Sequence, residues 1–326
     1  MNFAREPEVL FSPPSLPSIR WWSKDTVAIV TGANKGIGFA LVKCLAELGL
    51  TVVLTARNLE RGYTAAQVLR SQLGLDVHFL CLDVSDPASI NTFVSSFRMK
   101  FGALDILVRY LRSCMCFPVK SCVGQPEALP AVNNAAVSFN EINENSVEHA
   151  ETVIKTNFYG AKLLTEALLP MFRHSPSKSR ILNISSRLGS LNKLRNPNIK
   201  NILESENLSE EHIKVVVSSF LQSVKNGTWE SQGWPELWTD YAVSKLALNA
   251  YTRVLAKRYE GSHISVNCFC PGFTQTSMTR GKGTHTADEA AGVGARLLLF
   301  SPEELPTGKF FNCFWGAQSS VVKSKL

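Results

Sequence analysis

The chain predicts an α/β fold: a doubly wound parallel sheet in a single domain, with a helical insertion late in the sequence. Three observations carry that expectation. Short, wholly apolar runs of the kind that buried parallel strands show alternate with segments of helical period. The first run, Val27-Ala28-Ile29-Val30, passes directly into a glycine-rich turn and then a helix. The alternation then continues β-α-β-α-β-α-β as far as Leu107-Val108, as strands joined by crossover helices require.

The turn after the first strand reads Thr31-Gly32-Ala33-Asn34-Lys35-Gly36-Ile37-Gly38. Behind it Ala40, Leu41, Cys44, Leu45 and Leu48 recur at helical spacing, and Gly49 ends the helix. In this context the glycines let the backbone approach a pyrophosphate, and the N–H groups at the helix start favour its charge. The spacing, Gly-x-x-x-Gly-x-Gly, departs from the Gly-x-Gly-x-x-Gly dinucleotide fingerprint. A second strand, 51–55, ends in Ala56-Arg57-Asn58. An acidic residue at this strand end would hold the 2′-hydroxyl of NAD. Arg57 stands there instead, and with Lys35 it offers two cations to the additional phosphate of NADP. The cofactor expectation is therefore NADP(H). Residues 59–73 read as a helix and 77–82 as a third strand, ending at Asp83-Val84. Asp86-Pro87 opens a further helix to residue 101, with proline at an early position where it is tolerated. A fourth strand begins at Asp105.

There the pattern breaks. Residues 109–132 hold three cysteines and three prolines and show no period. Asn133-Asn134-Ala135-Ala136-Val137 follows, and would read naturally as the continuation of Leu107-Val108. A structureless loop of this length is unusual inside a compact domain. The segment reads as foreign to the fold, for example a translated intron. It supports a second expectation, a catalytically impaired cofactor-binding protein or a misfolded splice variant. Beyond it, residues 148–172 read as one long helix whose apolar face carries Asn157, an amide that is costly to bury without partners. A fifth strand, 180–184, leads to Ser185-Ser186. About fifty residues then intervene, with a helix at 209–224 and the aromatic Trp229, Trp234 and Trp238. A helix at 241–260, a strand at 264–270 ending in Pro271-Gly272, a helix at 287–300 and a last strand at 308–312 follow. Residues 1–24 read as a flexible tail, 25–312 as the domain and 313–326 as a tail without pattern.

Tyr241 and Lys245 lie one helical turn apart and share a face. A phenol titrates near pH ~10 in water. A fixed ammonium beside it favours the phenolate and makes the tyrosine a usable proton donor and acceptor.

Composition narrows the field. With 34 basic and 27 acidic residues the net charge is +7, and the basic residues are dispersed, which excludes nucleic-acid binding as a main role. No apolar run approaches the ~18 residues that span a bilayer. Eight cysteines occur without Cys-x-x-Cys or histidines at zinc spacing, so no metal is expected and a reducing, cytoplasmic setting is.

Taken together, Thr31-Gly32-x3-Gly36-x-Gly38, Asn133-Asn134-Ala135-Ala136, Asn157, Ser185-Ser186, Tyr241-x3-Lys245 and Pro271-Gly272 resemble the short-chain dehydrogenase/reductase family. The long stretch between Ser186 and Tyr241 is similar to the plant carbonyl reductase, salutaridine reductase and neomenthol dehydrogenase branch. The resemblance implies a Rossmann-type fold and NADPH-dependent reduction of a small-molecule ketone or aldehyde. It also implies a monomer, since the inserted helix covers the surface by which other members associate. On this chain it makes Asn157, Ser186, Tyr241 and Lys245 the catalytic set. Tyr241 would protonate the carbonyl oxygen, Ser186 would bind it, Lys245 would assist the tyrosine and hold the ribose, and Asn157 would anchor a proton-relaying water. Cofactor contacts would come from Gly32, Asn34, Lys35, Gly36, Ile37, Gly38, Arg57, Asp83, Val84, Asn133, Tyr241, Lys245, Pro271, Gly272, Thr274 and Thr276. Phe139 and the three tryptophans either line an apolar pocket or pack under the inserted helix.

Overall fold

A computed structural model describes residues 9–11, 15–109, 146–173, 179–303, 306–316 and 319–325. Its strands are β1 (Val9–Phe11), β2 (Val27–Val30), β3 (Thr51–Ala56), β4 (Val77–Cys81), β5 (Ile106–Arg109), β6 (Ser179–Ile184), β7 (Ile264–Cys270), β8 (Phe310–Gly316) and β9 (Ser319–Lys325). They form a single sheet in the order β1-β9-β8-β7-β6-β5-β2-β3-β4. The seven strands from β4 across to β8 run parallel, as predicted, while β9 returns antiparallel on β8 and β1 pairs antiparallel with β9.

The helices are α1 (Gly36–Glu47), α2 (Leu59–Leu73), α3 (Pro87–Phe101), α4 (Val147–Ile154), α5 (Ala161–Leu168), α6 (Pro197–Glu204), α7 (Glu210–Lys225), α8 (Thr239–Arg258) and α9 (Ala287–Leu298). Alternation along the strands divides them between two cores. Ala28 and Val30 of β2 pack with α1, α2 and α9, whereas Val27 and Ile29 pack with α3, α4, α5, α7 and α8. Strand order reverses between β2 and β5, which opens a crevice at the carboxyl ends of the strands, where open α/β sheets bind ligands.

The structure corrects several expectations. The helix at 148–172 is not continuous: α4 passes into a π-helical turn, Lys155–Gly160, then α5 and a 3-10 turn. The wide turn falls where the backbone is pressed against the β4–α3 connection, for a Cβ at Gly160 would lie 2.3 Å from the Val84 carbonyl oxygen. The N-terminal tail is tethered. β1 joins the sheet, Trp22 is buried, and the Trp21 indole donates to the carbonyls of Leu299 and Phe300 beneath the Arg180 guanidinium. The C-terminal tail forms the rest of β8 and all of β9. An unexpected helix, α6, starts at Asn196, whose side chain caps it, with Pro197 in its first turn. Arg109 is the last residue of β5, and the remainder of the 109–132 interruption, with Asn133 and Phe139, lies outside the described residues.

Candidate active site

The cofactor side of the crevice is made of backbone. Thr31 and Ala33 donate to the carbonyls of Val108 and Thr55, fixing the turn against β5 and β3. Gly36 opens α1 at φ 62°, a conformation that favours glycine. No side chain caps α1 and its first turn carries no acid, an arrangement suited to an anionic group. Lys35 is the residue at the helix cap, with Asn34 just before it, and Ile37 and Gly38 are buried. Arg57 directly follows β3. Its Nε lies 3.9 Å from Asp83 Oδ2 and, among the described residues, is buried without a hydrogen-bond partner, so Asp83 holds the guanidinium at the end of β3. Val84 is buried beside Asp83 at the end of β4.

The catalytic side is made of side chains gathered from distant positions. Ser186 follows β6 and its Oγ accepts from Leu188 N at 3.1 Å, capping a 3-10 turn, Arg187–Gly189. Gly189 lets that turn lie directly on α8: a Cβ there would stand 2.6 Å from the Leu246 nitrogen and the Lys245 carbonyl carbon. Ser186 is therefore a capping residue and a wall of the site at once. Ser185 turns the other way and donates to Asn249 Oδ1 at 2.5 Å, while Asn249 Nδ2 donates to the Gly189 carbonyl at 3.0 Å. Tyr241 is 7% exposed, and the Trp238 ring meets it edge-on at 6.1 Å. Trp238 sits at φ 51°, the left-handed region, where α8 begins.

Lys245 lies behind Tyr241, its Nζ 5.4 Å from the phenol ring and donating to the Ile184 carbonyl at 3.0 Å. Burial lowers its pKa to about 7; the Cys270 thiol opposes that shift and the Arg109 guanidinium adds to it. Asn157, in the π-helical turn, donates to Ser244 Oγ at 3.1 Å, and Ser244 Oγ donates to the Tyr241 carbonyl at 2.7 Å. The amide thus braces the first turn of α8. Beside Tyr241, burial raises the Asp240 carboxyl to about 6, and its Oδ2 has no partner.

One cleft of about 320 Å³ brings the two sides together. Ile37, Ser186, Tyr241, Pro271, Gly272, Thr274 and Thr276 line it, with Trp238, Leu237, Phe273 and Met278 toward the mouth. Lys245, Asn157, Gly32, Asn34, Lys35, Gly36, Arg57 and Asp83 are not among the residues that line it. The loop after Pro271 is fastened by His285, whose Nε2 lies 2.6 Å from the Pro271 carbonyl and 2.8 Å from Thr274 Oγ1. Of the tryptophans, Trp238 lines the cleft. Trp234 packs under α7, bonded to Ser223 and edge-on to Phe220. Ser244, Asn249 and His285 were missed from sequence. Asn249 had a signal: 241, 245 and 249 recur every four residues on one face of α8.

A short chain dehydrogenase model matches residues 26–111, 118–197 and 229–287. The chain belongs to the short-chain dehydrogenase family. The model leaves 198–228 unmatched, the stretch that holds α7. The (+)-neomenthol dehydrogenase of Arabidopsis thaliana is 39% identical over 290 residues, covering 87% of this chain and 95% of the relative. Carbonyl reductase [NADPH] 1 of Mus musculus is 33% identical over 298 residues, 88% of this chain and 96% of the relative. The solved structure of salutaridine reductase from Papaver somniferum superposes with a TM-score of 0.75 at 35% identity, covering 87% of this chain and 99% of that one. This member of the family thus falls in its plant reductase branch and is an oxidoreductase acting on carbonyl or CH–OH groups.

Proposed function

We propose that this short-chain dehydrogenase reduces an apolar ketone or aldehyde to the alcohol with NADPH. The observation that carries the reading is the cleft that Ser186, Tyr241 and Ile37 of the glycine turn line together. When bound, NADPH supplies the hydride. The turn at Gly32, Gly36 and Gly38, with Asn34, would hold the pyrophosphate. Lys35 and Arg57 would hold the 2′-phosphate, a role supported by the place of Arg57 directly after β3 and its partly exposed side chain. Asp83, Val84 and Asn133 would meet the adenosine half, and Pro271, Gly272, Thr274 and Thr276 the nicotinamide half.

Within the cleft the Ser186 hydroxyl donates to the substrate oxygen, and Tyr241 delivers a proton to it as negative charge develops there. A charged Lys245 stabilises the phenolate left behind, and an N–H not given to the Ile184 carbonyl would hold a ribose hydroxyl. Asn157, braced against α8 through Ser244, marks the path by which a proton returns to Lys245. The exposed apolar Leu237 and Phe273 at the mouth suit a bulky, apolar carbonyl compound. The chain acts as a monomer in the cytoplasm, with α7 packed over α4 and α8.

The test is NADPH fluorescence titration followed by a panel of cyclic ketones, with Tyr241→Phe alongside and the same sample sized by light scattering. Saturable binding, turnover by the parent and none by Tyr241→Phe are expected, the variant keeping its NADPH affinity. Retained turnover in Tyr241→Phe would remove the tyrosine from the reaction. Absent binding or aggregation would favour a catalytically impaired product of aberrant splicing, a reading that the buried guanidinium of Arg109, with Nη2 unpaired among the described residues, supports.

A further inference from the structure

The end of β5 carries a group that the proposed reduction does not use. Arg109 is 1% exposed, and its guanidinium lies inside the core. Nε donates to Asn183 Oδ1, Nη1 donates to the Ala161 carbonyl, and Nη2 has no partner among the described residues. The Tyr251 ring lies 5.7 Å away, its hydroxyl donating to Glu166 Oε1 at 2.7 Å. Lys245, also 1% exposed, donates to the carbonyl of Ile184. Two buried cations therefore hold consecutive residues of β6, one through the Asn183 side chain and the other through the Ile184 backbone.

No anion adjoins either of them among the described residues. The groups facing Lys245 are Cys268 and Cys270 on β7, Arg109 on β5 and Tyr241 on its own helix. Those facing Arg109 are Tyr251 on α8, Glu166 on α5 and Cys268 on β7. Burial pushes the Cys268 thiol up to about 12 and raises that of Cys270, so both stay neutral through the physiological range. Glu166 reaches the guanidinium only across the tyrosine and is paired with Arg258 at 2.9 Å. Arg109 itself, lowered by burial to about 10, remains charged at neutral pH. In so dry a surrounding a like charge acts on Lys245 beside the larger effect of burial, and Arg109 supplies it.

We infer that Arg109 is a positioning residue of this site, a second buried cation that acts through Lys245 and sets how firmly the ammonium behind Tyr241 keeps its proton. Arg109 is also the first residue of the 109–132 interruption, so this charge enters the core with that segment. A like charge disfavours protonation, so removing it lets Lys245 stay charged to higher pH. The inference rests on the proposed reduction, in which turnover needs a charged Lys245.

The experiment compares the parent with Arg109→Gln, Arg109→Met and Arg109→Lys. For each, kcat/KM toward a cyclic ketone at saturating NADPH is followed against pH. The neutral variants should move the alkaline limb up by about one pH unit, while Arg109→Lys keeps it in place. A purely structural Arg109 would change thermal stability and leave the limb fixed, and that result in a folded neutral variant overturns the inference. The Lys245 Cε signal in lysine-13C-labelled protein, assigned with Lys245→Met, gives the same titration without turnover. A parent with no activity, in which this signal still moves with Arg109→Gln, defeats the reductase reading and keeps the inference. An unmoved signal defeats the inference alone.

Discussion

The two sides of the crevice are built by opposite means. The glycine turn of the proposed cofactor side is eight consecutive residues, 31–38, presenting backbone; its geometry follows from glycines and from two hydrogen bonds to neighbouring strands. The proposed catalytic side draws Ser186, Tyr241 and Lys245 from two elements more than fifty residues apart and seats them by burial and close packing. A local backbone site is sensitive to one dihedral angle. A side-chain site is sensitive to each functional group in turn, and its environment rather than its residue types sets its electrostatics. The first side should therefore fail in affinity and the second in rate.

Three substitutions sharpen or break that contrast. Ser186→Ala removes a donor to the developing oxyanion, and kcat should fall by about 10²–10³ with the NADPH Kd unchanged. Steady-state kinetics beside fluorescence titration checks it; a weakened Kd would show that the two sides are not separable. Gly36→Val places a β-branched residue at φ 62° in the turn, and should weaken NADPH binding by at least about tenfold, the strain being of order 1–3 kcal/mol. Turnover at saturating NADPH should survive, and a kcat lost in proportion would contradict a purely binding role. Arg57→Asp should be the mildest, lowering the preference for NADPH over NADH by about tenfold through loss of a charge-assisted contact. An unchanged preference ratio would place recognition of the 2′-phosphate elsewhere.

The same contrast governs what the sequence could reveal. The parallel strands, the glycine turn and the Tyr241–Lys245 pair were legible because contiguous pattern specifies each of them. Not legible were the π-helical turn around Asn157, set by contact with Val84, and the diverging partners of Ser185 and Ser186. Trp234 and Trp238 look alike in sequence; one fills the core under α7 and the other walls the cleft. The ends of the chain read as tails because β1 and β9 show little apolar alternation, and the pairing of β1, the edge strand, with β9 is a long-range event. Nor did pattern show that Arg109 would be buried, since an arginine ending a strand is ordinarily solvated.

The contact of Gly189 with the backbone of α8 reaches beyond the placement of one serine. Turn and helix meet there backbone against backbone, so the segments that carry Ser186 and Tyr241 form one packed part. Leu237, Phe273 and Met278 belong to the loops outside that part. Machinery and gate are thus modular, and substrate preference can be re-engineered, or can drift in evolution, at the gate alone.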